Sequence, residues 1–201
     1  QVVGDMQIPN QIKQAYQWAA DLSMAGPFLH RLMHTIFFAN KRVAQETCFR
    51  DGAASVSYAA VELVGTLTLN PKILVVGLGE IGTDVCKNLI QKEDVDITLI
   101  NRTRAKAEQL AEKKGFRVAD FADLEAELRR ADVIISSLKI DQPYFTKAMV
   151  KSLGGLTYKY FVDLSVPRSV EPEVEQVAGI MLYNVDTIRA RANAALARRL
   201  D

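Results

Sequence analysis

Cysteine and histidine are scarce: the 201 residues hold two of each, Cys48 and Cys86, His30 and His34. Two cysteines cannot build a disulfide framework and show no metal-ligand spacing, so reduced thiols in a cytosolic chain are expected. His30 and His34 are four apart on a helical pattern. No third ligand stands near them, so packing or surface roles are expected and no metal site. An excess of one charge is also missing. The net charge of +1 leaves no bulk footprint for nucleic acid, although a local basic patch stays open. No apolar run approaches the ~20 residues that a bilayer demands. The opening Gln1-Val2-Val3-Gly4 is no signal peptide, and a start on Gln1 rather than methionine points to a fragment. The remainder is ordinary for a globular protein, 49% apolar and 24% charged.

Helical spacing dominates the front. Ile12, Tyr16, Ala19 and Ala20 share a face over 11–25, and Gly26-Pro27 breaks that pattern and opens the next helix. Leu29, Leu32, Met33, Ile36 and Phe37 carry this second helix to about Glu46, and residues 53–69 are helical again. Asn70-Pro71 closes an all-helical segment, 1–70. From Lys72 short apolar runs alternate with helical patterns, which predicts βαβ units and a parallel sheet. The predicted strands are Ile73–Val76, Ile97–Ile100, Arg117–Ala119, Val133–Ser136, Phe161–Leu164 and Ile180–Leu182. The predicted helices between them are 80–91, 103–114, 121–130, 145–152 and 172–177. Most strands are apolar throughout, as strands covered on both faces should be. The expected fold is therefore α/β, a Rossmann-type doubly wound sheet over 71–185, with a helix leaving it at 186–201.

The chemistry centres on Gly77-Leu78-Gly79-Glu80-Ile81-Gly82, which follows the first strand and opens a helix, the context this motif requires. Gly77 makes the tight turn, Gly79 lets the backbone approach a pyrophosphate, and Gly82 lets the helix pack on the strand. Free N–H groups and the helix dipole then meet the phosphates. The second strand runs into Asn101-Arg102-Thr103, with no acid where an NAD enzyme places one for the ribose hydroxyls. A carboxylate would repel a 2′-phosphate. Arg102, 25 residues after Gly77, can pair with it, so NADP(H) is expected. Two further loops lie at strand ends: Ser136-Ser137, and Asp163-Leu164-Ser165-Val166-Pro167-Arg168. The serines either touch the cofactor or cap the strand, Ser165, Val166 and Pro167 would lie by the nicotinamide, and Asp163 is structural or catalytic.

With these residues in view, the chain resembles glutamyl-tRNA reductases. The resemblance is carried by Gln7-Ile8 and Gln11-Ile12-Lys13, by Lys41-Arg42-Val43 with Glu46-Thr47, and by 55–63. The glycine turn, Asn101-Arg102-Thr103, 163–168 and Tyr183-Asn184-Val185-Asp186 extend it along the whole chain. It implies NADPH-dependent reduction of glutamyl-tRNA to glutamate-1-semialdehyde, in tetrapyrrole and haem biosynthesis. An upstream cysteine would form a thioester, which accepts hydride readily. It also implies a homodimer, and a partner enzyme that takes over the semialdehyde. Asp5, Met6, Gln7 and Gln11 would contact the glutamyl group; Asp5 stands where the family has Glu, and Pro9-Asn10 where it has Leu-Gly.

The family's nucleophile sits in a Ser-Cys-Asn-Arg-Thr-Glu type segment, and the sequence has none. Cys48 and Cys86 are expected to be packed structural thiols, so no catalytic residue is assigned to the chain. It would supply NADPH and lack the attacking group. A shikimate-dehydrogenase-like reductase shares the Asn-Arg-Thr style of site, and a non-catalytic NADP sensor would need nothing more than this chain. Arg189, Arg191, Arg198 and Arg199 either meet tRNA phosphates or face solvent.

Overall fold

The computed structural model describes residues 7–46, 56–92, 95–112, 115–154 and 158–191. The chain divides into two compact units, one of residues 1–55 with 191–201 and one of residues 56–190.

In the first unit, α1 (Gln7–Asp21) and α2 (Pro27–Glu46) are amphipathic helices. Pro27 opens α2, as its ready-set φ and missing N–H favour at a first helical position. The ring of Tyr16 meets His30 edge-on and tilts against Phe37. The Tyr16 hydroxyl also hydrogen-bonds His30 Nδ1. His30 thus has the packing role, and among the described residues no cluster of His, Cys, Asp and Glu could hold a metal.

The second unit, not the helical front expected over 1–70, holds α3 (Val56–Leu67). Val56, Ala60, Val61, Leu63 and Val64 are buried along it, and it packs on α4 (Glu80–Leu89). The Ser57 hydroxyl donates to Asp84 Oδ2 at 2.6 Å, tying the two helices together.

Six strands follow: β1 (Lys72–Val76), β2 (Asp96–Ile100), β3 (Arg117–Ala119), β4 (Val133–Ser136), β5 (Lys159–Asp163) and β6 (Ile180–Asn184). All pair in parallel, in the order β3-β2-β1-β4-β5-β6. This is the doubly wound order that reverses direction between β1 and β4, where ligands bind in open α/β sheets. The interiors of the central strands β1 and β4 are buried on both faces, hence their unbroken apolar runs. Leu74, Val76, Ile100, Ile134 and Phe161 form one core with residues of α6 (Leu124–Arg130) and α7 (Lys147–Ser152). Ile73, Val75, Leu99 and Ile135 alternate with these and are also buried. A further α-helix, α5 (Arg104–Glu112), packs on β2 and β3.

Two expected helices are tighter. Residues Phe121–Asp123 form a 3-10 turn before α6, and Pro172–Gln176 is 3-10 throughout. β5 begins at Lys159, two residues ahead of the predicted strand, because Tyr160 pairs with Val133 and Lys159 with Ile180. Residues 185–190 are helical after β6. Asn184 and Thr187 cap that start reciprocally: each side-chain oxygen accepts the other's backbone N–H, at 3.0 and 2.9 Å.

Candidate cofactor site

The turn between β1 and α4 is built on three glycines with different constraints. Gly77 has φ +91°, a conformation that side chains resist, and a Cβ there would lie 2.5 Å from the Ser137 carbonyl oxygen. Thus β1 and β4 end in direct contact at the switch point. At Gly82 a Cβ would lie 2.0 Å from the Gly77 carbonyl oxygen. Gly79 is the opposite case. Its φ of −65° is ordinary, and a Cβ there would have no neighbour within 4 Å. Gly79 is also the N-cap of α4, and no side chain caps the helix. The first turn of a helix carries backbone N–H groups without intrahelical partners. Here they border open space at its positive end, which suits a pyrophosphate. The fold therefore fits a dinucleotide at this point. Leu78 is buried, Ile81 half-buried and Glu80 exposed.

The second strand end divides its work. Asn101 Oδ1 accepts the Leu78 N–H at 3.0 Å, and Asn101 Nδ2 donates to the Thr103 carbonyl at 2.9 Å. Its amide thus braces the glycine turn. Arg102 and Thr103 are exposed, and Arg102 makes no ion pair among the described residues. Arg104 is the contrasting arginine. It pairs with Asp120 and with Glu108, and those hydrogen bonds raise the pKa of its guanidinium. Among the described residues, Arg102 is thus the unpaired arginine at this strand end.

The serines separate. Ser136 is fully buried, and its hydroxyl shares a 2.6 Å hydrogen bond with that of Ser169. Ser137 is half-buried, and its backbone backs the Gly77 turn. Ser165 accepts the Leu138 N–H at 3.0 Å, joining the loops after β4 and β5. Asp163 is 1% exposed, and its carboxylate accepts from Ser165 N–H, Ser169 N–H, Ser169 hydroxyl and Val170 N–H. Four donors saturate it, so of its two open roles the structural one holds: Asp163 shapes the loop. That loop presents Val166, 79% exposed, beside a cis Val166–Pro167 bond, and Arg168 lies 3.7 Å from Asp186. Composition gave no sign of Ser169; only the returning loop brings it to Asp163.

Cys86 is fully buried on α4, and burial pushes its thiol up to about 12 from an ordinary 9.0. A thiol held protonated is no nucleophile near neutral pH. We expect iodoacetamide at pH 8 to leave Cys86 untouched in the folded protein and to label it in urea, read by peptide mass spectrometry. The raised pKa also means that the folded state binds this proton more tightly. Its stabilising share is complete below pH 9.0 and is lost as pH climbs towards 12.

Some expected site residues fall elsewhere. Asp5, Met6, Cys48, Arg198 and Arg199 lie outside the described residues. Gln7 opens α1, and Gln11 is exposed along it. Arg189 is half-buried, with its Nε buried and unpartnered among the described residues. No described helix is long and apolar enough to cross a membrane.

Residues 60–190 match the family model described as shikimate / quinate 5-dehydrogenase, and residues 1–47 the glutamyl-tRNAGlu reductase N-terminal domain. A glutamyl-tRNA reductase of Cytophaga hutchinsonii is 56% identical over 205 residues, covering 100% of this chain and 48% of that protein. A second, from Flavobacterium johnsoniae, is 38% identical over 99% of this chain and 46% of its own length. The chain thus spans about half the length of the curated relatives it matches. Among solved structures, the glutamyl-tRNA reductase of Methanopyrus kandleri superposes with a TM-score of 0.66 at 31% identity, over 98% of this chain and 51% of that one. A shikimate 5-dehydrogenase of Thermus thermophilus, solved with NADP(H) and shikimate, shares the fold at TM-score 0.50 and 24% identity, over 72% of this chain and 55% of its own. Matched along its whole length by these reductases, the chain is similar throughout to glutamyl-tRNA reductases, and through residues 60–190 it belongs to the family described as shikimate / quinate 5-dehydrogenase.

Proposed function

We propose that this chain is the NADPH-holding part of an enzyme that reduces glutamyl-tRNA to glutamate-1-semialdehyde for tetrapyrrole synthesis. The observation that carries the proposal is the open space over Gly79 at the switch point, flanked by a strand end that offers Arg102 and no acid. NADPH, when bound, supplies the hydride. The chain's residues bind and orient it. Backbone N–H groups at 79–82 take the pyrophosphate, Arg102 and Thr103 the 2′-phosphate, and Asn101 keeps the turn in shape. Ser137 and the loop carrying Ser165, Val166 and Pro167 border the nicotinamide end, while Ser136 supports them from beneath.

The attacking thiol belongs to a part of the protein other than this chain. Cys86 is excluded by its burial and raised pKa. Asp5, Met6, Gln7 and Gln11 contribute contacts to the glutamyl group. The whole enzyme works in the cytoplasm as a homodimer, and a second enzyme receives its aldehyde product.

Two measurements test this reading. The chain joined to the upstream half of its protein should oxidise NADPH with glutamyl-tRNA and not with shikimate; the reverse preference would overturn it. Arg102→Ala should weaken NADPH by roughly 10- to 100-fold, the value of charge-assisted hydrogen bonds to a phosphate, and leave NADH unchanged. Isothermal titration with both dinucleotides reads the difference. Equal weakening of both would remove Arg102 from the 2′-phosphate.

A further inference from the structure

Thr83 sits in the first turn of α4, and its hydroxyl donates to the Leu78 carbonyl at 3.2 Å. On the other side of the same residue, Leu78 N–H donates to Asn101 Oδ1 at 3.0 Å. The Thr83 N–H meanwhile donates to the Gly79 carbonyl at 3.0 Å, the first helical bond of α4. Leu78 is thus held at its N–H by the second strand end and at its carbonyl by the helix, and its side chain is 1% exposed.

A trans peptide is planar, with its C=O and N–H pointing in opposite directions. Fixing the Leu78 carbonyl on Thr83 therefore fixes the Gly79 N–H on the other side of the peptide plane. Were the plane free to rotate, as a glycine readily allows, that N–H would sample several directions. A donor set in advance binds an anion without an ordering cost. We infer that Thr83 is a positioning residue: with Asn101 it locks the Leu78–Gly79 peptide so that Gly79 N–H faces the pyrophosphate. This rests on the dinucleotide reading of the glycine turn. It assigns to Thr83 a role outside the Gly-x-Gly-x-x-Gly pattern, since Thr83 is the residue just after it.

Thr83→Val keeps the shape and β-branch of the side chain and removes the donor; Thr83→Ser keeps the donor. Affinities for NADPH and NADH are measured by titration calorimetry, together with melting temperatures and the amide resonance of Gly79 in each protein. The expected result is a roughly three- to tenfold weakening in Thr83→Val, the scale of one lost hydrogen bond. It should be equal for both dinucleotides, because the pyrophosphate is common to them. Thr83→Ser should bind like the wild type, and the Gly79 amide resonance of the unliganded protein should move in Thr83→Val alone. If Thr83→Val fails to fold, Thr83→Ala removes the same hydroxyl and is read in the same way. Wild-type affinity in a folded hydroxyl-free variant overturns the inference while leaving the dinucleotide reading intact. Failure of the wild type to bind either dinucleotide overturns the dinucleotide reading itself, and the inference with it.

Discussion

Gly79→Ala should fold like the wild type and bind NADPH at least 30-fold more weakly, a loss of roughly 2 kcal/mol. Nothing in the folded chain opposes the added methyl group. Gly79 has φ −65° and ψ −162°, which alanine adopts freely, and no heavy atom lies within 4 Å of the new Cβ. Alanine is a poorer N-cap than glycine, but it also restricts the unfolded chain, and the two effects are small and opposed. The melting temperature should therefore move by only a few degrees. The methyl group instead occupies the space into which we place the pyrophosphate. Phosphate oxygens would be held away from the N–H groups of α4 and would lose several short hydrogen bonds together. Titration calorimetry beside a thermal melt separates the two effects. Wild-type affinity in Gly79→Ala would place the phosphates elsewhere and remove the main support for the proposed function.

Gly82→Ala should do the reverse and damage the fold first. Its Cβ would stand 2.0 Å from the Gly77 carbonyl oxygen and 3.4 Å from the Ser137 Cβ. The first of these is a backbone atom, so no side-chain rotation relieves it. Relief requires moving α4 away from β1 or displacing Gly77, which is itself pressed against Ser137. Overpacking of this kind costs about 1–3 kcal/mol or more, and the better helix propensity of alanine recovers at most ~1 kcal/mol. A net loss of about 2 kcal/mol lowers the melting temperature by roughly 6–10 °C for a domain of this size. Cofactor affinity falls as well, because the turn that presents Gly79 has moved. A melt within a degree of the wild type would show that α4 can shift without penalty. The two substitutions are chemically identical and three residues apart, yet one tests the ligand space and the other the packing.

Much of this was legible in the chain itself. The apolar strand runs Ile73–Val76 and Val133–Ser136 coincide with β1 and β4 within a residue, because only a strand covered on both faces needs such runs. The glycine turn was legible because Gly77 and Gly82 answer close backbone approaches and Gly79 leaves the space before α4 open. The end of β2 was legible through what it omits, an acid. Residues 172–177 were less so: a proline and alternating acids suit the start of either helix type, and the structure forms a 3-10 turn.

Side-chain roles that depend on distant partners had to wait for the fold. Asp163 stood open between catalysis and structural support, and Ser136 between cofactor contact and strand capping. The loop returning after β5 brings both against Ser169, which supplies two of the four donors to Asp163 and pairs with Ser136. Asn101 stands beside Arg102 at the end of β2, and the structure ties its amide to Leu78 and Thr103. Arg102 and Arg104 are chemically alike and two residues apart. Only tertiary structure sets Asp120 from the end of β3 against Arg104 and leaves Arg102 exposed. The sequence alone determined that a doubly wound sheet forms and where its glycine turn lies, since periodicity and glycine sterics act over a few residues. The fold decided which polar groups remain free to bind, since a donor or acceptor is free only once every neighbour that could satisfy it has been placed.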